Sequence, residues 1–598
     1  MCGIAGILEP QCSREQLEGR LLVVQRRLAH RGPDSQGLYA APDAGVGLVH
    51  TRLSILDLSA AGSQPMWDDT GRYLIVFNGE IYNFAELRQE LEAEGETFRS
   101  RSDTEVILKM YRRYGANCVR EFSGMFAFAI WDSLERTCFF ARDALGIKPL
   151  YYHLGGRTLA FASELRALLE FEHIPRRLDH VALEDYFLFG SVQEPATLVA
   201  GVHSLPAGHY MIWQNGSVRS KRYWEIQYIP EPIEELEAVK TVRKALRESV
   251  SRHFVSDVPV GIFLSGGIDS TALVALARDL GHENVSTFCI SFDDARYNEG
   301  DAAARTASHF GTQHIDWRLT AQQGRLLLQE FLACSDQPSI DGFNTYCVSR
   351  LAHDQGAKVV LSGLGGDEIF GGYQSFDRVP GLARINRLLS LVGPVKRGAA
   401  RLLVNMPLAG KYLRLASYFG GMPSAGGAYW CMRGVFTPDE ADTLAGKYIN
   451  GTSGEKNSIH FGIPIQPTPE DEVSYLELTR YMRNQLLRDS DIMSMAVGLE
   501  LRVPFVNRLL LDTVGRIPAS LRLAKGKNLL VRAVPELPDW VLNSPKRGFS
   551  FPFDHWLLSE WGDIFQRIDA ESPVPLHTWY RRWCIFALEN FLQKTGIG

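Results

Sequence analysis

The sequence predicts two domains of different class, an N-terminal α+β unit and a C-terminal α/β unit that ends in helices. Three observations lead there. The chain has 598 residues, more than one hydrophobic core usually serves, so about two to four domains are expected, with two large ones favoured. From Gly45 to Trp213 short runs alternate with the period of a strand, whereas farther on strands alternate with helices. The rhythm changes at "IQYIPEPIEELE", residues 226 to 237, which is polar, acidic and bears prolines, so the domains read as 1–215 and 226–598.

In the first half "RYLIVFNGE", "GMFAFAIWD", "RTCFFARD" and "TLAFASE" read as antiparallel strands separated by Gly, Asp and Asn turns. Two helical patterns interrupt them, "NFAELRQELEAEG" and "DTEVILKMYRRYG", each closing on a glycine suited to a C-cap. In the second half "VPVGIFL", "VSTFCISF" and "AKVVLSG" read as buried parallel strands. "STALVALARDL" reads as a helix with Leu273, Leu276, Ala277 and Leu280 on one face. Beyond Tyr373 the pattern is mostly helical.

Composition narrows the class. At 45% hydrophobic, 22% charged and a net charge of −6, the chain reads as soluble and well packed, and no nucleic-acid partner is expected. Nine cysteines are an odd number without a C-x-x-C pair, which signals neither a disulfide framework nor a zinc site. No run of about 18 apolar residues occurs, and a cytoplasmic protein is the expectation.

The first chemical signal is "MCGIAG". Removal of Met1 before the small Cys2 would place a thiol beside a free α-amino group, whose pKa of about 7.7 to 8.0 suits a base near neutral pH. Behind it follow "RGPDSQG" (31–37), "TRLSILD" (51–57), "FNGEIYN" (77–83) and "RSDTEVIL" (101–108). In order and spacing this half resembles the class II glutamine amidotransferases, and the resemblance implies an N-terminal nucleophile (Ntn) hydrolase fold of αββα layers. It also implies roles: Cys2 as nucleophile, and Asn78 with the Gly79 backbone N–H as oxyanion donors. Glutamine would be held by Arg52, Leu53, Ser54, Ile55 and Leu56, with Asn78, Gly79, Glu80 and Asp103 beside them. Arg52 would take the α-carboxylate, and Glu80 and Asp103 the α-ammonium.

The second signal is "FLSGGIDS", residues 263 to 270, a strand that turns through glycines into a helix, where backbone N–H groups and the helix dipole invite an anion. It lacks the Walker spacing. It resembles the pyrophosphate loop of N-type ATP pyrophosphatases, within the adenine nucleotide alpha hydrolase-like folds. That resemblance implies that Ser265, Gly266, Gly267 and Ser270 cradle pyrophosphate and that Asp269 binds Mg²⁺. A second carboxylate is then needed, and Asp367 in "VVLSGLGGDEIFGGY" (359–373) is the candidate.

Both halves, with "RDALGIKPLYY" (142–152), "LRDSDIMSMAVGLELRVPF" (487–505) and "SPKRGFSFPF" (544–553), resemble the glutamine-hydrolysing asparagine synthetase family over essentially the whole chain. The resemblance implies glutamine, ATP and a carboxylate acceptor, by default aspartate, as small-molecule substrates, and an internal path for ammonia. It leaves a homodimer open. It places Leu264, Ile290, Ser362 and Gly363 at the adenosine and gives Lys527 the neutralisation of developing charge.

Three positions depart from the family pattern. Leu364 stands where S-G-E-G-[SA]-D-E carries a glutamate, Asn507 where an aspartate follows "RVPF-x", and Asn298 where "YDE" is usual. Leucine cannot move a proton, so another group takes that role or the acceptor is a different carboxylate, such as a uronic acid, a polysaccharide precursor or a specialised metabolite. Finally, Arg378, Arg384, Arg387, Lys396, Arg397, Arg401, Lys411 and Arg414 fall in a stretch without one acidic residue. A solvated helical hairpin with basic outer faces is the expectation, with an anionic substrate, an acidic partner or a membrane surface left open beside it.

Overall fold

Two six-stranded antiparallel sheets build the N-terminal part of the computed structural model, which describes residues 2–9, 13–404, 410–449, 463–544 and 551–597. One sheet runs Val202–Ser204, Tyr151–Gly155, Thr158–Ala162, Cys2–Leu8, Val46–Arg52, Ser35–Ala41. The other runs Ser217–Arg222, His209–Gln214, Thr137–Arg142, Gly124–Asp132, Tyr73–Ile81, Met66–Trp67. Their inner faces share a core of residues such as Ile4, Leu48, Leu74, Val76, Phe140 and Phe161. On the outside of the first sheet, Leu17, Leu21 and Val24 of the helix Arg14–Arg27 pack against Ile7 and Val49. On the outside of the second, Leu87 and Leu91 join Val106 and Met110 against Ile75 and Phe128. The result is the αββα layering that the sequence led one to expect, held by side chains each worth about 1.5–3 kcal/mol on full burial.

Ser102 caps the helix Asp103–Tyr114 by accepting from the Thr104 N–H at 3.2 Å, which fixes Asp103 at the helix start. That start lies beside the end of Tyr73–Ile81, because Asp103 Oδ2 accepts from the Ile81 N–H at 2.9 Å. The capping sequence thus delivers a carboxylate to a strand end.

The C-terminal part holds a five-stranded parallel sheet in the order Gln313–Arg318, Ser286–Ser291, Val260–Phe263, Val359–Leu361, Glu500–Arg502. From Val260–Phe263 the chain first builds outward on one side and then returns to add Val359–Leu361 on the other. Order therefore reverses between these two neighbours, and in open α/β sheets ligands bind beyond the strand ends at such a switch point.

The two parts meet through buried charges. Arg31, fully buried, reaches Glu164 at 3.1 Å and Asp491 of the C-terminal part at 2.7 Å, and Lys148 adds a 3.1 Å contact to Asp491.

The basic stretch forms the helices Ser375–Leu389, Gly393–Val404 and Gly410–Gly420. Two of its cations do not lie on an outer solvated face. Arg414 is buried and donates to the carbonyls of Cys431 and Val435, and Lys396 is tied to Asn386 Oδ1 and the Gly421 carbonyl, because both carbonyl sets need donors where helices meet. The side chains of Arg397 and Arg401, residues 545–550 of "SPKRGFSFPF", and Cys12 lie outside the described residues.

Candidate active site

Cys2 opens its strand directly opposite Arg52 in the register. Its thiol is buried, and burial is the main cause that pushes its pKa up, while the chain-terminal charge, the Leu53 N–H and the Arg52 cation pull the other way. The Cys2 N–H donates to Asn78 Oδ1 at 3.1 Å, and this turns Asn78 Nδ2 into a buried donor without an acceptor among the described residues. An unpaired buried donor costs free energy that a ligand oxygen would recover. Gly79 follows at φ +154°, where a Cβ would run into the Met125 carbonyl, so only glycine lets the two strands come this close.

Arg52 organises the loop after its own strand, donating to the carbonyls of Ser59 at 2.9 Å, Leu56 at 3.2 Å and Asp57 at 2.5 Å. Leu53 and Ile55 are buried along that loop, and the Ser54 N–H donates to Asp34 Oδ2 at 2.7 Å. Across from it, burial raises the Asp103 carboxyl to about 6 and pushes Glu80 well above the carboxylate range, with Glu500 adding like charge to both. Two buried acids whose pKa values burial and like charge raise favour a cation beside them. Arg502 Nη2 lies 3.7 Å from Glu80, and its own carbonyl accepts from the Ser362 N–H at 2.8 Å. One residue thereby connects both sites.

At the sheet's switch point the loop after Val260–Phe263 carries Leu264 to Ser270. Ser270 Oγ lies 3.1 Å from Ser265 Oγ and accepts from the Ser265 N–H at 3.2 Å, which closes the turn. Gly267 is the N-cap of the helix Ile268–Asp279, and no side chain caps it, so the first-turn amides face the cavity. Ser362 and Gly363 line the same cavity from the neighbouring strand, and Leu264 and Ile290 supply buried apolar wall.

Asp269 and Asp367, far apart in sequence, converge on Lys527. Its Nζ lies 2.5 Å from Asp269 Oδ2 and also contacts Asp367. Burial opposes the ammonium charge, but the two carboxylates outweigh it and hold its pKa above the usual lysine value. Two glycines around Asp367 are explained by these acids: a Cβ at Gly366 would overlap the Asp269 carboxylate, and one at Gly372 the Asp367 carboxylate.

The departures now have places. Asn507 Oδ1 caps the helix Arg508–Val514 through the Leu509 and Leu510 N–H groups at 2.9 and 3.3 Å, a task that asparagine and aspartate do equally well. Asn298 Oδ1 accepts from the Gly300 N–H at 3.0 Å. Leu364 is half-buried on the cavity wall and packs against the core.

Sequence reasoning missed three cavity groups. Glu368 is buried, accepts from the Tyr373 hydroxyl at 2.8 Å, and is raised to about 8 by burial first and then by the Asp367 charge. Arg433 lies over the Tyr373 and Tyr481 rings at 4.2 and 3.9 Å and pairs with Glu477 at 2.9 Å. For Glu368 the only signal was its place beside Asp367; for Arg433 and Tyr481 there was none.

Fold and sites together define a glutamine-dependent amidating ligase with an ATP-using second half. The chain belongs to the asparagine synthase family: residues 241–588 match the family model described as asparagine synthase, and residues 1–224 the one described as a glutamine amidotransferase domain. It is 34% identical to glutamine-hydrolyzing asparagine synthetase 1 of Bacillus subtilis (strain 168), over 96% of this chain and 90% of that one. It is 29% identical to asparagine synthetase 3 of the same organism, over 100% and 94%, and 28% identical to amidase chry2 of Gibberella zeae, over 93% and 90%.

Proposed function

We propose that the chain hydrolyses glutamine at Cys2 and uses the ammonia to amidate a carboxylic acid, by default L-aspartate, with ATP split to AMP and pyrophosphate. The observation that carries the reading is the buried Lys527 clamped between Asp269 and Asp367 at a strand-to-helix phosphate loop, in a chain whose other half seats Cys2 on Asn78. After loss of Met1 the Cys2 α-amine takes the thiol proton, and Sγ attacks the glutamine amide carbon. Asn78 Nδ2 and the Gly79 N–H receive the oxyanion, the protonated amide nitrogen leaves as ammonia, and water cleaves the thioester to glutamate. Arg52 binds the α-carboxylate; Glu80 and Asp103 bind the α-ammonium. Support comes from the orphan donor on Asn78 and from the two buried acids whose pKa values burial raises.

In the second site Ser265, Gly266, Gly267 and Ser270 hold the departing pyrophosphate, and Leu264, Ile290, Ser362 and Gly363 hold the adenosine. A carboxylate oxygen attacks the α-phosphorus, and ammonia then displaces AMP from the acyl group. Mg²⁺ fits Asp269 and Asp367, since both already meet on a cation. Mg²⁺ prefers one or two carboxylates plus phosphate oxygens and water, so these two acids would hold it together with the phosphates of ATP. Once bound, the ion neutralises phosphate charge. Lys527, paired with both carboxylates, supplies a fixed positive charge beside the place of that ion.

A second reading, amidation of a larger carboxylate, is favoured by Leu364, whose apolar side chain lines the cavity where the family pattern has a glutamate. Screening carboxylic acids for pyrophosphate release decides: aspartate-dependent release with asparagine formed sinks the second reading, and its absence beside intact glutaminase activity sinks the first.

A further inference from the structure

The helices Ser375–Leu389 and Gly393–Val404 present apolar side chains to solvent in a way that a buried-face pattern does not explain. Leu388 is 64% exposed, Leu391 85% and Leu402 73%, with Ile385 and Leu403 also exposed. On the first helix Arg384 and Leu388 stand four residues apart, so guanidinium and leucine share one outward row, and Leu391 is exposed in the 3-10 turn that follows. Arg378, Arg387 and Lys411 are exposed as well, and no acidic residue occurs from 378 to 414. The neighbouring helix Pro469–Leu476 brings one carboxylate close to Arg387, the half-buried Glu472.

We propose that this face docks the enzyme on an anionic lipid bilayer, with the leucines entering the headgroup boundary and the arginines meeting lipid phosphates. Among the described residues no helix is long and apolar enough to cross a membrane. Interfacial helices combine such leucines with basic flanks and enter the bilayer by about 5–10 Å. A second copy of the chain fits poorly, because a two-fold contact would set this basic face against itself. The face also adjoins the cavity, since Phe376 and Asp377 of the same helix line it.

The test is co-sedimentation of the full-length protein with vesicles of phosphatidylcholine alone or mixed with phosphatidylglycerol. Binding is expected only to the anionic vesicles. It should weaken about fivefold for each of Arg384→Gln and Arg387→Gln, and about tenfold for each of Leu388→Ser and Leu391→Ser, while glutaminase activity stays unchanged and reports an intact fold. No binding, or equal binding to neutral and anionic vesicles, overturns the proposal. So does light scattering that shows a dimer abolished by Leu388→Ser, or capture by poly-glutamate without capture by vesicles, which would assign the face to a second copy or to an acidic protein.

Discussion

Replacing Lys527 by methionine keeps the apolar stem and removes the cation between Asp269 and Asp367. Lys527 is 5% exposed, whereas both carboxylate side chains keep 20% exposure. Breaking a fully buried pair costs about 3–5 kcal/mol; with that much access to water at the acids, the lower end, about 3 kcal/mol of stability, is expected. The effect on chemistry is separate: loss of one preorganised charge at a developing anion lowers turnover about 10²- to 10³-fold. Pyrophosphate release at saturating ATP and Mg²⁺ measures this loss, and glutamine hydrolysis by the same sample, expected within about twofold of the parent, controls for folding. Millimolar Mg²⁺ should stabilise the variant more than the parent in urea unfolding, since without the ammonium the two carboxylates repel and gain more from the ion. The reasoning fails if pyrophosphate release stays within about threefold of the parent, or if both activities fall together.

Four other outcomes are expected. Cys2→Ala abolishes glutamine use but leaves amidation driven by added ammonium chloride; persisting glutaminase activity would place the nucleophile elsewhere. EDTA stops pyrophosphate release and spares glutamine hydrolysis, which a coupled glutamate assay reads directly. Arg31→Met leaves Glu164 and Asp491 without their shared cation, and urea unfolding should show a loss of about 3–5 kcal/mol. Burial holds His253 at about 3, below the ordinary 6.5, so the unfolded chain takes the proton first and this stabilisation is complete above about pH 6.5 and lost as pH falls. His253→Asn removes that dependence; the stability gap between parent and variant should therefore shrink by about 2 kcal/mol from pH 7 to pH 5 in urea titrations.

By itself the sequence determined the elements and the two chemical motifs, because these are written in short range. The alternation of "GMFAFAIWD" makes it the strand Gly124–Asp132, the serine before "DTEVIL" caps a helix, and the glycines of "FLSGGIDS" turn a strand into a helix. What only the tertiary structure decided depends on groups remote in the chain losing water together. In the sequence Lys527 has its role only through a family resemblance, and the partner that fixes its ammonium, Asp269, lies 258 residues away. Arg31 and Asp491 are 460 residues apart and have no sequence relation that marks them as partners. Glu368 carries the same side chain as any surface glutamate, and only burial beside Asp367 lifts it to about 8. Leu364 shows the reverse: the sequence marked it as a lost glutamate, and the fold shows a side chain that shapes the cavity wall and packs on the core. Periodicity and capping act within a few residues, so one chain segment contains them. Desolvation and charge convergence arise only when distant segments have packed.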